Sequence, residues 1–329
     1  MFIETKAWHW YGSDNPMELD LKTYQMGPLA DHQVLIENRA IGLNPVDWKL
    51  MLGFSKDWKQ GQIPGVDGMG VVVAVGKDMR HIRIGSRYTY HTDLRFSGSF
   101  SHHIVVDGRA LIAVPDRLNN VSAAAFPCPG LTAWQAFQKT SNLGGKSVLV
   151  NGAGGGVGSL LTQLLIDAGA KVYVTASSHR HQMLRSYGAI ATFDYHDQDW
   201  HQQLQKALAG QPLYAAYDTV NGQSAAEIAP LLGFYGHLIC IQDRIEKAPL
   251  PAFTTSISLH EIALASTHVF GSDQQWACLV QDGQLLLNHI ADYKLHLPQI
   301  HTVQFEDIPE VLSSLKQNNN GIKYVACIN

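Results

Sequence analysis

A doubly wound parallel α/β domain set into a β-rich domain is the fold this chain predicts, on three observations. The first is a glycine turn after an apolar run, Lys146-Ser-Val-Leu-Val-Asn-Gly-Ala-Gly-Gly-Gly-Val-Gly. The second is the alternation of strand and helix patterns over residues 126–269, the mark of a parallel sheet with helices on both faces. The third is the contrasting style of residues 1–125, where short strands lie between Gly, Pro and Asp turns, as in a compact barrel. Residues 270–329 return to mixed elements and are expected to complete the first domain.

Each element follows from its local pattern. Val148, Leu149 and Val150 form the continuous apolar run of a strand covered on both faces. Five of the seven residues from Gly152 to Gly158 are glycine, so backbone N–H groups can approach a ligand with no side chain between. The helix expected from Val157 to Ala168 turns its positive end towards that turn, which suits a pyrophosphate. The spacing Ala153-x-Gly155-x-x-Gly158 is the dinucleotide fingerprint with alanine in its first place. Downstream, strands are expected over Lys171–Thr175, Thr192–Tyr195, Tyr214–Val220, Gly236–Ile241 and Ile262–Thr267. Helices are expected over His179–Tyr187, Gln198–Leu208 and Ser224–Leu232. Upstream, residues 33–42, 70–76, 83–90 and 101–107 read as strands. The last segment reads as helix Gln274–Ile290, strand Thr302–Phe305, helix Pro309–Lys316 and strand Tyr324–Ile328.

Composition narrows the function classes. The chain has 329 residues, 46% hydrophobic and 16% charged, which suits a well-buried enzyme of two domains. A formal charge of −4 offers no surface for nucleic acid or an anionic membrane. Cys128, Cys240, Cys278 and Cys327 are too scattered for a disulfide framework or a cysteine zinc knuckle. No apolar run approaches the ~20 residues of a spanning helix, and the N-terminus lacks a signal peptide's core. A soluble protein in the reducing cytoplasm is expected.

Six stretches in order resemble one family over nearly the whole chain. They are Gly42-Leu-Asn-Pro-Val-Asp-Trp-Lys, Pro64-Gly-Val-Asp-Gly-Met-Gly-Val-Val, Leu131-Thr-Ala-Trp, Gly154-Gly-Gly-Val-Gly, Asp218-Thr-Val-Asn-Gly and Phe305-Glu-Asp-Ile-Pro-Glu-Val. Together they resemble the medium-chain dehydrogenase/reductase superfamily, in its zinc-independent quinone oxidoreductase branch. The resemblance implies a GroES-like catalytic domain, an inserted Rossmann domain, NADPH-dependent reduction and a homodimer.

Zinc-dependent relatives carry ligands where this chain has Asn44 and Val66, and only Cys128 remains at the third place. An amide is a poor zinc ligand and valine is none, so no metal is expected. His102-His103 and His179-x-His181 have no carboxylate or cysteine at ligand spacing.

The second Rossmann strand ends Val172-Tyr-Val-Thr-Ala-Ser-Ser-His-Arg, with no carboxylate to hold a ribose 2′-hydroxyl. Ser177 and Arg180 offer donors suited to a 2′-phosphate, which favours NADPH. By resemblance Arg180 contacts the 2′-phosphate, Tyr195 lies near the adenosine, and Thr132, Gly155, Gly156, Val157, Gly158 and Asn221 line the cofactor; on the other reading Ser177 caps a helix and Arg180 is a solvated surface residue.

Hydride transfer needs the cofactor positioned and charge stabilised on the acceptor oxygen. Asn44 matches an asparagine beside the nicotinamide; it either donates to the acceptor carbonyl or shapes the Asn-Pro turn. Asp47 and Asp67 either join the site or brace its loops. Lys49 stands where several relatives carry a tyrosine, and either supplies a proton, binds an anionic acceptor or is solvated. Trp48, Phe54 and Trp58 form an aromatic wall for flat acceptors or part of the core.

The function expected is NADPH-dependent, zinc-independent hydride transfer to a quinone or α,β-unsaturated carbonyl. The alternatives are an alcohol dehydrogenase acting on a small alcohol or aldehyde, and a non-catalytic NADPH-binding sensor or structural protein.

Overall fold

The computed structural model describes residues 3–54 and 57–328, without the side chain of Phe54. The chain divides into two compact units, Met1–Cys128 with Ala265–Asn329, and Pro129–Leu264.

The first unit begins with β1 (Ile3–His9) and β2 (Asp20–Met26), an antiparallel pair. Its main sheet is built round β3 (Gln33–Leu43), whose alternate residues Val34 and Ile36 are fully buried. There follow α1 (Pro45–Lys49), β4 (Asp67–Val75), β5 (Arg87–His91), β6 (His103–Asp107), β7 (Ile112–Ala113) and α2 (Asn120–Ala125). The strand pattern expected from Arg83 starts only at Arg87, because residues 83–86 form a turn closed by Ser86 N–H donating to Arg83 O.

The helix α3 (Pro127–Phe137) leads to β8 (Ser147–Asn151), α4 (Gly156–Asp167), β9 (Lys171–Thr175), α5 (His181–Tyr187) and β10 (Ala191–Phe193). Then come α6 (Trp200–Leu208), β11 (Leu213–Asp218), α7 (Gly222–Ile228), β12 (Leu232–Cys240) and β13 (Ser258–Glu261). These six strands are all parallel, in the order β10-β9-β8-β11-β12-β13. The order reverses between β8 and β11, the switch point where a doubly wound sheet opens a crevice at its carboxyl edge.

One expected strand is misplaced. Residues 262–267 are not extended; Leu264–Ser266 is a 3-10 turn, and the edge strand is Ser258–Glu261. Ile262 and Leu264 are buried by that turn, which gives the same apolar alternation that a strand would.

The chain then returns through α8 (Thr267–Phe270), α9 (Asp273–Ala291), β14 (Ile300–Gln304), α10 (Ile308–Gln317) and β15 (Lys323–Cys327). These belong to the first unit, where β15 lies antiparallel to β3 with Tyr324 opposite Leu43. Phe305, Ile308, Leu312 and Leu315 join Ile41, Leu43 and Phe100 in its core. No helix among the described residues is long and apolar enough to cross a membrane.

Candidate functional site

The glycine turn leaves β8 and enters α4. Gly152 takes φ +79°, a left-handed conformation that a side chain resists. A side-chain carbon on Gly158 would lie 2.6 Å from the Gly152 carbonyl oxygen, so glycine lets the helix start against the strand end. Gly155 is the N-cap and places no side chain on the first N–H groups of α4. Gly155, Gly156 and Val157 are half-buried, while Gly158 is buried. The start of α4 therefore offers backbone donors at the positive end of a twelve-residue helix.

A polar network fixes the strand ends beneath this turn. Asn151 Nδ2 donates to Asp218 Oδ2 (2.7 Å) and Ser224 Oγ (2.6 Å), and Thr175 Oγ1 donates to Asn151 Oδ1. Gly152 N–H donates to Thr175 Oγ1 at 3.0 Å, which ties the turn itself into the network. Asp218 also accepts from the Val220 and Asn221 amides, both at 2.9 Å. Burial raises the Asp218 carboxyl above its ordinary value, against the pull of these donors. Asn221 itself is exposed and caps α7 by accepting from Ser224 N–H.

At the end of β9, Ser177 Oγ and Tyr195 Oη lie 2.9 Å apart. Arg180 packs beside the turn: a carbon added to Gly154 would lie 3.1 Å from Arg180 Cγ. Ser177, Arg180, Tyr195 and the turn thus surround one region of the second unit. Asp194 joins them, unforeseen in the sequence; it accepts from the amides of Ser178 and His196, each at 3.0 Å. Those amides, His196 first, hold its carboxyl below the ordinary value. Thr132 lies half-buried on α3.

The first unit holds a second polar cluster. Asn44 caps α1, and Asp47 bridges two loops by accepting from Asn44 N–H (2.7 Å) and Val66 N–H (2.9 Å). Asp67 accepts from Asn44 Nδ2 (2.9 Å) and from the Cys128 amide (3.0 Å). The second amide hydrogen of Asn44 is directed at the Gly42 carbonyl, 3.2 Å away. Lys323, also unforeseen, donates to Asn44 Oδ1 at 2.5 Å and lies 3.5 Å from Asp67 Oδ2. Asn44, Asp47, Asp67 and Lys323 are all buried. Burial pushes the Asp47 carboxyl up to about 7 and that of Asp67 to about 6, with Lys323 opposing the rise in both. The Cys128 thiol is raised well above its ordinary value, also by burial.

Lys49 lies half-buried at the end of α1, its ammonium 5.7 Å from the centre of the Trp48 ring. Trp48 and Trp58 pack against the first unit's core, and Trp58 Nε1 donates to the Leu94 carbonyl at 2.8 Å.

Comparison with known proteins identifies the family. Residues 30–116 match the alcohol dehydrogenase GroES-like domain, and residues 156–283 match the domain described as zinc-binding dehydrogenase. The chain belongs to the medium-chain dehydrogenase/reductase superfamily. Within the superfamily its likeness is to the quinone oxidoreductases. A tomato (Solanum lycopersicum) 2-methylene-furan-3-one reductase is 34% identical over 206 residues, which are 58% of this chain and 52% of that protein. Human quinone oxidoreductase is 28% identical over 77% of this chain and 78% of its own. The Escherichia coli quinone oxidoreductase solved with NADPH shares the fold, with a TM-score of 0.83 at 19% identity over 99% of this chain and all of that one. The chain spans only 52–63% of the length of several curated relatives it matches.

Members of this superfamily bind a nicotinamide cofactor, and the second unit fits one, since the donors at the start of α4 have no side-chain cap. A catalytic zinc does not fit the first unit. Its three ligand places hold Asn44, Val66 and Cys128, and the Asn44 amide oxygen already accepts from a buried ammonium. No three His, Cys, Asp or Glu side chains group as metal ligands among the described residues.

Proposed function

We propose that this superfamily member is an NADPH-dependent, zinc-independent reductase that transfers hydride to a quinone or an α,β-unsaturated carbonyl. The observation that carries the reading is the glycine turn at the start of α4 with Arg180 packed beside it. The backbone donors of Gly156, Val157 and Gly158 hold the pyrophosphate, and Ser177, Arg180 and Tyr195 hold the 2′-phosphate. Relatives named for reducing a furanone or a quinone support the acceptor class. The bound dinucleotide supplies the hydride. Thr132 and Asn221 position it.

The Asn44 amide hydrogens are taken up by Asp67 and Gly42. Asn44 therefore acts as a fixed dipole, and the donor to the acceptor oxygen is Lys49 or water. Asp47 braces the two loops that carry Asn44 and Val66. The protein functions in the cytoplasm as a homodimer, without a membrane or nucleic-acid partner.

Parallel assays of NADPH and NADH oxidation against quinones, enones and aldehydes test this reading. NADPH oxidation with quinones or enones is expected. Steady alcohol oxidation would favour the alcohol dehydrogenase alternative, and tight NADPH binding without turnover would favour the sensor.

A further inference from the structure

The two strand ends that carry Ser177 and Tyr195 are tied together rung by rung. β9 and β10 run parallel, with Thr175 opposite Phe193. Just beyond them Ala176 N–H donates to the Phe193 carbonyl at 3.0 Å. The sheet then ends, and Ser178–Arg180 is a 3-10 turn. There a side chain takes over from the strand: Asp194 Oδ2 accepts from Ser178 N–H at 3.0 Å. Ser177 Oγ, between these two ties, lies 2.9 Å from Tyr195 Oη. Ser177 opens the turn, but its hydroxyl caps none of the turn's amides. Arg180 N–H donates to the Ser177 carbonyl at 2.9 Å, so the two residues move as one turn.

Asp194 spends both carboxylate oxygens on main-chain amides, Oδ2 on Ser178 and Oδ1 on His196. Those amides, His196 first, hold its carboxyl below the ordinary value, so it is ionised at neutral pH. An anion beside residues proposed to hold a phosphate repels that phosphate. The two effects of Asp194 therefore have opposite signs. Were only its charge to count, removing it would tighten NADPH binding. Where its bonds set the turn, removing them frees Ser177 and Arg180 and weakens NADPH binding. Hydrogen bonds to a charged acceptor are among the stronger ones, whereas an exposed charge is screened by water and salt. The bonds outweigh the repulsion.

We infer that Asp194 is a positioning residue that shapes residues 177–180 for the 2′-phosphate, and so sets the preference for NADPH over NADH. The inference rests on the NADPH reading above. It lies wholly within the second unit and assigns Asp194 no contact with the cofactor.

Titration of the whole protein with NADPH and with NADH, followed by dihydronicotinamide fluorescence, tests it. Amide hydrogen exchange over residues 177–180 is the second readout. In Asp194→Ala the dissociation constant for NADPH rises about tenfold, that for NADH stays within about twofold, and exchange at Ser178 quickens. Asp194→Asn removes the charge but keeps an oxygen for the Ser178 amide. It leaves the NADPH constant within about threefold of wild type and exchange at Ser178 close to it. Tighter NADPH binding in both variants would show that only the charge of Asp194 counts. A greater loss of NADH than of NADPH would show that its carboxylate holds ribose hydroxyls instead. Equal weakening of both ligands, no change in either, or no recovery with Asn would likewise overturn the inference, and all these outcomes leave the NADPH reading standing. A wild-type protein that binds neither dinucleotide, or binds NADH as tightly as NADPH, would overturn the NADPH reading itself, and this inference with it.

Discussion

At the scale of single residues, the two polar clusters differ in how much of them could be read from sequence. Asn44, Asp47 and Asp67 lie in short motifs, and their pairing follows from a capping turn and its neighbouring loop. Lys323 could not be found that way, since its only link to Asn44 is the long-range pairing of β15 with β3. Asp194 did carry a signal: it sits at the end of an expected strand, where side chains meet those at the end of β9. It also bears on the cofactor. It lies beside Ser177 and Ser178, where its Oδ2 accepts from the Ser178 amide. Replacing Arg180 by Glu should raise the dissociation constant for NADPH by at least about tenfold while changing NADH less than about threefold, since like charges near 4 Å cost about 1–4 kcal/mol. Equal weakening of both in calorimetric titrations would remove Arg180 from the phosphate site.

At the scale of elements, alternation and turn chemistry located most of the second unit. The turn from β8 to α4 was legible because five glycines can serve little else. Gly158→Ala tests its geometry. The added carbon would meet the Gly152 oxygen at 2.6 Å and Ala153 Cα at 2.7 Å, both backbone atoms that cannot move aside. A loss of about 1–3 kcal/mol in urea unfolding is expected, together with weaker dinucleotide binding. Unchanged stability would mean that the helix can start further from the strand. The edge strand was placed too late in the chain because a buried 3-10 turn imitates strand periodicity at Ile262 and Leu264. That edge, β13, has its outer side unpaired in the sheet and bears Leu259, 44% exposed. Beside it on β12, Phe234 and Tyr235 are 69% and 64% exposed. A second copy pairing there would form the proposed homodimer. Sedimentation velocity should give a dimer for wild type and a monomer for Leu259→Lys. A monomeric wild type would contradict this assembly.

At the scale of the whole molecule, buried ionisable groups give stability a pH dependence that the sequence does not reveal. Burial lowers His91 and His268 to about 4. Between about pH 4 and 6.5 the unfolded chain binds more protons at these histidines than the folded chain, so their contribution to stability rises with pH. Asp47 and Asp67 act in the opposite sense. Their folded values of about 7 and 6 exceed the unfolded one, so the folded chain binds more protons and stability falls with rising pH between about 4 and 7. The opposing pairs should partly cancel in wild type. His268→Gln removes one of them. Wild type should then gain on the variant by about 1.4 kcal/mol per pH unit from about pH 4 to 6.5, and no further above that. Urea unfolding at three pH values measures the difference, and a constant difference would show that His268 is not held neutral by the fold.

The second unit holds the glycine turn at the start of α4 proposed for the dinucleotide, and the first unit holds a buried cluster in which the Lys323 ammonium meets Asn44 and Asp67. The most direct test of that account is the initial rate of NADPH oxidation by metal-stripped protein with a quinone or an enone. Turnover that chelator does not diminish and added zinc does not raise is expected, with NADH at least about tenfold less effective. Turnover that requires zinc, or none with any quinone or enone, would contradict it.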